Sequence, residues 1–184
     1  ERSSAMSVTT TRLAAFLSRT EYFQRCTPEE ISQNIDIFDT VKLSSGSYLF
    51  KEGQRGDAWY LVLEGEVSVV KSGESGPPHT LAQLGPGEGL GEMALLDDAP
   101  RMGSVYAMEP TVLVRLSRER FISMLRTNHP TATKMLWAMA GVLCQRQREL
   151  TYILQEVVDD PGPRPQTDPS TMASLIEAGF RLNG

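Results

Sequence analysis

The sequence predicts a mainly β domain with flanking helices. The expected form is a small, jelly-roll-like β-roll with N-terminal helices and a long C-terminal helix. Three observations carry this. Between residues 38 and 116, glycines such as Gly46, Gly53, Gly65 and Gly85 punctuate short apolar runs, the pattern of short strands bounded by turns. Residues 7–37 read as helical, and residues 117–158 return to helical spacing, with a long helix over 131–158.

Taken in order, Thr27-Pro28-Glu29-Glu30 is a helix start. Thr27 can cap, Pro28 suits the first turn and Glu30 can close a capping box. Trp59 to Leu63, Glu64-Gly65, then Glu66 to Val70 reads as a tight hairpin. Lys71 to Pro78 is a loop rich in Gly, Ser and Pro, and further strands are expected at Thr80–Leu84, Ser104–Met108 and Thr111–Leu116. Ser117 can cap a helix carrying Phe121, Met124 and Leu125. Three prolines between Pro161 and Pro165 end the long helix, and residues 159–184 read as a mobile tail with a short amphipathic helix at Met172–Phe180. Residues 1–6 read as a tag remnant and stand outside the fold, which leaves 7–158 as the domain.

Composition narrows the function. The chain has 184 residues, 40% hydrophobic and 22% charged, with a formal net charge of −5. That balance is ordinary for a globular domain and unlike the basic surface of a nucleic-acid binder. There is no secretory signal pattern and no apolar run long enough to span a bilayer, so a cytoplasmic protein with no membrane contact is expected. Cys26 and Cys144 share no metal-ligand spacing and read as small buried apolar residues in helices. His79 and His129 stand apart from any carboxylate cluster. No nucleophile, base or metal set is legible, so neither an enzyme nor a metal site is expected.

The chemistry concentrates in Leu90-Gly91-Glu92-Met93-Ala94-Leu95-Leu96 and Pro100-Arg101-Met102-Gly103-Ser104-Val105. Gly91 permits close backbone approach. Glu92 to Leu96 can form one helical turn whose free N–H groups face inward and attract an anion. Arg101, expected at the start of a strand, carries a fork that matches phosphate oxygens. Glu92 offers acceptors to sugar hydroxyls, or to Arg101 itself.

These residues resemble the phosphate-binding cassette of the cyclic-nucleotide-binding domain family, the catabolite activator and kinase regulatory subunit type. Gly91, Glu92, Ala94, Leu95, Pro100, Arg101 and Val105 match its pattern in register. Gly46 to Gly53 and Tyr60 to Val67 are similar to its first and second hairpin signatures. The resemblance implies that Glu92 accepts from the ribose 2′-hydroxyl and that Arg101 pairs with the cyclic phosphate. It also implies that the amides near Met93 and Ala94 take the other phosphate oxygen, with Met102 and Ser104 completing the ligand set. Leu90 and Gly103 depart from the usual aromatic and Ala. Met102 stands where members that prefer cyclic GMP often carry Thr, which favours cyclic AMP. No cofactor beyond this ligand is implied.

On the long helix, Leu136, Ala140, Leu143, Gln147, Leu150, Leu154 and Val157 alternate steps of four and three, an a/d seam that predicts a homodimer. Met135, Met139, Val142 and Ile153 form a flanking stripe. Gly141 is a weak point where a shorter preceding helix could hinge against the long one, and by the resemblance Gln147 and Arg148 fall where the base is capped. The implied function is a regulatory sensor signalling through the long helix to an effector that the sequence does not identify. A degenerate dimerisation module without ligand, and a fragment of a transcription regulator, are the alternatives. Residues 159–184 are too few and too acidic for a DNA-reading module, so no nucleic-acid partner is expected.

Overall fold

The computed structural model describes residues 2–73, 76–97 and 99–159, with side chains from Thr10 onward except those of Glu156, Val157 and Asp159. The tail at 160–184, with the helix expected at Met172–Phe180, lies outside the described residues. The chain divides into two compact units, Glu1–Met139 and Ala140–Gly184.

The first unit opens with α1 (Arg2–Leu17) and α2 (Pro28–Gln33), followed by a 3-10 turn at Ile35–Ile37. Helix α2 starts as its sequence dictates. The Thr27 side chain accepts from the Glu30 amide, and the Glu30 carboxylate accepts from the Thr27 amide. The expected continuous helical stretch over 7–37 is interrupted: residues 18–26 are turns. Here Ser18 and Thr20 hydroxyls donate to the Ala15 and Leu17 carbonyls, which offers the backbone an exit from the helix. Tyr22 and Phe23 follow and are fully buried.

Eight strands then form two four-stranded antiparallel sheets. They are β1 (Asp39–Leu43), β2 (Tyr48–Phe50), β3 (Ala58–Glu64), β4 (Val67–Lys71), β5 (His79–Leu84), β6 (Gly89–Leu90), β7 (Ser104–Ala107) and β8 (Thr111–Ser117). One sheet has the order β1-β8-β3-β6 and the other β2-β7-β4-β5. The pairs are thus nested, β1 with β8, β2 with β7, β3 with β6 and β4 with β5, which is the jelly-roll pattern. A short helix α3 (Met93–Leu96) interrupts the return path, and α4 (Arg118–Arg126) and α5 (Pro130–Asp159) follow. Ser117 caps α4 by accepting from the Arg120 amide.

The expected tight hairpin across Glu64-Gly65 is not formed. Strand β3 pairs with β8 and β6, whereas β4 pairs with β7 and β5. The Gly46–Gly53 signature is likewise no local hairpin, since β2 pairs with β7. At Gly65 the chain crosses between sheets with φ +82°, so close to the next corner that a Cβ there would lie 2.6 Å from the Pro110 carbonyl oxygen. Short-range alternation cannot distinguish a hairpin from such a corner.

Strand β3 shows why its run Trp59-Tyr60-Leu61-Val62 is apolar without alternation. Tyr60 and Val62 join Val67, Leu84, Leu90, Val105 and Leu113 in the core between the sheets. Trp59 is also fully buried, with Tyr22 edge-on at 4.9 Å and Phe23 at 6.2 Å. Both faces are covered, so both carry apolar residues. Cys26 is buried as expected, but Cys144 is exposed on α5, because its position falls on the helix face turned to water.

The corner at Gly65 is a testable element. Gly65→Ala places a side chain at positive φ and against the Pro110–Thr111 backbone. It should destabilise the protein by about 1–3 kcal/mol, read as a lower urea midpoint at unchanged slope.

Candidate functional site

The site grows from two backbone passages that only glycine permits. Before β3, Gly56 lies so close to α3 that a Cβ would stand 2.4 Å from the Ala94 Cβ. After β6, Gly91 has φ +74°, and a Cβ there would stand 2.5 Å from Arg101 Nη1. These passages let α3 settle onto β3 and let the arginine lie directly beneath the turn. Helix α3 packs against both β3 and α4.

The structure brings Gly91, Glu92, Met93, Ala94 and Arg101 together. Glu92 and Ala94 are each 4% exposed, while Met93 and Leu96 face outward. The turn is more closed than its sequence implied. The Ala94 amide donates to the Gly91 carbonyl and the Leu95 amide to the Glu92 carbonyl, so these two N–H groups are engaged rather than free. A helix of one turn closes on its own preceding carbonyls.

Arg101 does not start a strand, since β7 begins at Ser104. Its backbone is nevertheless fixed on both sides: its amide donates to the Gln54 carbonyl, and its carbonyl accepts from the Gly53 amide. The side chain is buried. Nη2 donates to the Ala58 carbonyl at 2.7 Å and stands 3.7 Å from Asp57 Oδ1. Nε and Nη1 are buried and have no hydrogen-bond partner among the described residues. The guanidinium carbon lies 4.1 Å over the Phe50 ring and 5.8 Å from that of Tyr60. Burial pushes the guanidinium below its ordinary pKa, with Tyr60, Asp57 and Glu92 opposing the shift. An arginine stays charged even so. A buried positive charge with unmatched donors can receive an anion.

The other candidates sit as follows. Met102 is 39% exposed, and its carbonyl accepts from Lys71 Nζ. The Ser104 hydroxyl accepts from the Glu52 amide. On α5, Leu136, Leu143 and Leu154 are half-buried, Ala140 and Gln147 are exposed, and Leu150 is 42% exposed. The Val157 side chain lies outside the described residues. Met135, Met139 and Val142 of the flanking stripe are buried, and Ile153 is exposed. Gln147 and Arg148 are exposed in the second unit. Helix α5 runs unbroken through Gly141.

Sequence reasoning missed the charges behind the arginine. Asp57 also accepts from Arg115 Nη2 at 2.8 Å, Arg115 Nη1 reaches Asp39 at 3.3 Å, and Asp39 accepts from Arg120 Nη1 at 2.9 Å. The Arg118 amide donates to the Asp57 carbonyl. A line of alternating charges therefore runs from Arg101 to the first turn of α4. Burial pulls the Arg115 guanidinium down, but its hydrogen bonds with Asp57 and Tyr60 outweigh this and leave it above its ordinary pKa. Arg115 stands opposite Asp39 on one side and Tyr60 on the other. That juxtaposition needs the sheet order, and no local spacing reports it. A groove of about 450 Å³ lined by Phe16, Arg19, Thr20, Glu21, Pro86, Gly87 and Glu88 shares no residue with this site.

Residues 40–128 match the family profile described as cyclic nucleotide-binding domain. The chain is 30% identical to a solved cyclic nucleotide-binding domain from Methylobacillus flagellatus, covering 71% of this chain and 74% of that one, with a TM-score of 0.65. The chain belongs to the cyclic nucleotide-binding domain family. It is 36% identical over 127 residues to the cyclic AMP receptor protein of Thermus thermophilus, covering 69% of this chain and 57% of that relative. It is 36% identical over 111 residues to the cAMP-dependent protein kinase regulatory subunit of Emericella nidulans, covering 60% of this chain and 26% of that relative. This cyclic nucleotide-binding domain therefore spans little more than half of the first relative and about a quarter of the second. No helix among its described residues is long and apolar enough to cross a membrane.

The loop joining Arg101 to β7 is held from β4. Lys71 pairs with Glu52 at 2.9 Å, and Glu52 also accepts from the Ser72 amide. Burial pushes the Glu52 carboxyl up, but Lys71 and Ser72 outweigh it and hold it below its ordinary value. A carboxyl lowered on folding stabilises fully above its unfolded pKa of about 4.3, and that contribution fades as pH falls through the lower folded value. Lys71→Met should therefore cost about 0.2–1 kcal/mol near pH 7. In urea titrations its difference from the parent should shrink as the solution is acidified.

Proposed function

We propose that this domain binds cyclic AMP at the cassette and passes the event to its long C-terminal helix. The observation that carries the reading is Arg101, buried beside the Gly91–Ala94 backbone with two donor nitrogens unmatched. Glu92, buried next to it, supplies acceptors for the ribose hydroxyl. The relatives named for cyclic AMP support this nucleotide. Met102 offers no hydroxyl to a guanine amino group, which also favours adenine. The ligand is the domain's effector, and no further cofactor enters the reading.

Signalling follows from how closely the turn sits on its arginine. An anion reaching Nε and Nη1 must lift α3 or draw Arg101 off Ala58 and Asp57. Either movement acts on α4, through its packing with α3 or through Asp57, Arg115, Asp39 and Arg120. Gly141, a poor helix former within α5, is the hinge of this reading. A ligand shifts such an equilibrium only as far as it binds one arrangement better.

Homodimerisation through α5 is part of the same reading. In the seam Ala140, Gln147 and Leu150 are exposed, while Met135, Met139 and Val142 of the flanking stripe are buried, so the seam is the face left to a partner. Gln147 would be the polar residue fixing register, and Gln147 and Arg148 remain candidates for capping the base. The effector that reads the helix is a protein, and the reading includes neither a membrane nor a nucleic acid.

Two experiments test this. Calorimetry should show cyclic AMP binding, weakened roughly 100-fold or more by Arg101→Ala and less by Glu92→Gln. Full affinity in Arg101→Ala would place the phosphate elsewhere. Sedimentation should show a dimer, converted to folded monomers by Leu143→Asp with Leu150→Asp.

A further inference from the structure

The charge at the cassette is held by an aromatic group far from it in sequence. Phe50 is the last residue of β2, in one sheet, and Tyr60 lies on β3, in the other. Their rings are 6.0 Å apart, tilted by 38°. The Arg101 guanidinium carbon lies 4.1 Å over the first and 5.8 Å from the second. The same strand end holds a second cation, with Lys51 Nζ 5.2 Å from the Tyr48 ring. A ring face is negative, and its pull on a cation grows where water is excluded. That condition holds here, because the Arg101 side chain is 4% exposed.

We propose that Phe50 is a positioning residue for the anion-binding arginine: its ring is a platform on which the guanidinium turns between the Ala58 carbonyl and the ligand's phosphate. The chemistry suits that role. A hydrogen bond to Ala58 is directional and must be surrendered if Nη2 turns to a phosphate oxygen. The attraction to a ring face tolerates rotation of the cation in its own plane, so it persists in both positions. The platform keeps the desolvated charge attended while its donors change partners. It also sets the height of the guanidinium beneath Gly91, where the cassette backbone leaves no slack.

This inference rests on the cassette as the nucleotide site, and two measurements separate the claims. In calorimetry, Phe50→Leu should weaken cyclic AMP about tenfold, and Phe50→Tyr should restore the parent affinity. Phe50→Leu should weaken cyclic GMP by the same factor, since the platform acts on the phosphate that both share. Near-parent binding by Phe50→Leu, equal losses in the Leu and Tyr variants, or a changed ratio between the nucleotides would overturn the proposal. Independently, urea unfolding without nucleotide should show that Phe50→Leu and Arg101→Leu are not additive. Additive losses would also overturn the platform. If the parent bound neither nucleotide, the assignment of the site would fail, and this cycle would still decide the platform.

Discussion

The site depends on keeping one guanidinium charged inside the wall of a β-roll. Burying a charge is costly unless it is matched, and Arg101 is matched only in part. The Ala58 carbonyl takes Nη2, Phe50 and Tyr60 lie beside the carbon, and Asp57 stands at 3.7 Å. Two nitrogens have no acceptor among the described residues. In the proposed reading, that remainder is what the ligand's phosphate would satisfy. Gly56 and Gly91 exist in this arrangement to let backbone approach it, and a methyl group at either would collide with the turn or the arginine.

The nested strand order explains how the parts meet. Because β2 pairs with β7 and β3 with β8 and β6, residues near 50, 57–60, 91–94, 101 and 115 converge on one end of the roll. The hydrogen bonds of Arg101 with residues 53 and 54 seal that end. The same topology lets Asp57 serve two arginines and reach α4 through its own carbonyl. Arg101 and the start of α4 are thus linked through Asp57.

Much of this was legible in the sequence because it is local. The capping box at Thr27–Glu30, the Ser117 cap, the strands around Ser104 and Thr111, and the Gly91–Arg101 segment each declare themselves within a few residues. The misreadings have separate causes. Glu64-Gly65 has the spacing of a hairpin, but which strand a residue faces is decided by the whole roll. Asp57, Arg115 and Phe50 carry no local mark, since their roles arise from cross-strand neighbours. Cys144 was read as buried from its residue type, and helix phase decided otherwise. The turns at residues 18–26 answer to hydroxyls that bond backward and to aromatic burial at Tyr22 and Phe23, not to apolar periodicity.

The most direct test is nuclear magnetic resonance of the arginine Nε–H groups during titration with cyclic AMP and, separately, with adenosine. The account predicts that the Arg101 Nε–H signal, assigned by its loss in Arg101→Lys, shifts to a strongly hydrogen-bonded position with cyclic AMP. Adenosine, which lacks the phosphate, should leave it in place. An Arg101 signal that stays unmoved at saturating cyclic AMP, or that moves equally with adenosine, would contradict the claim that this buried guanidinium receives the phosphate.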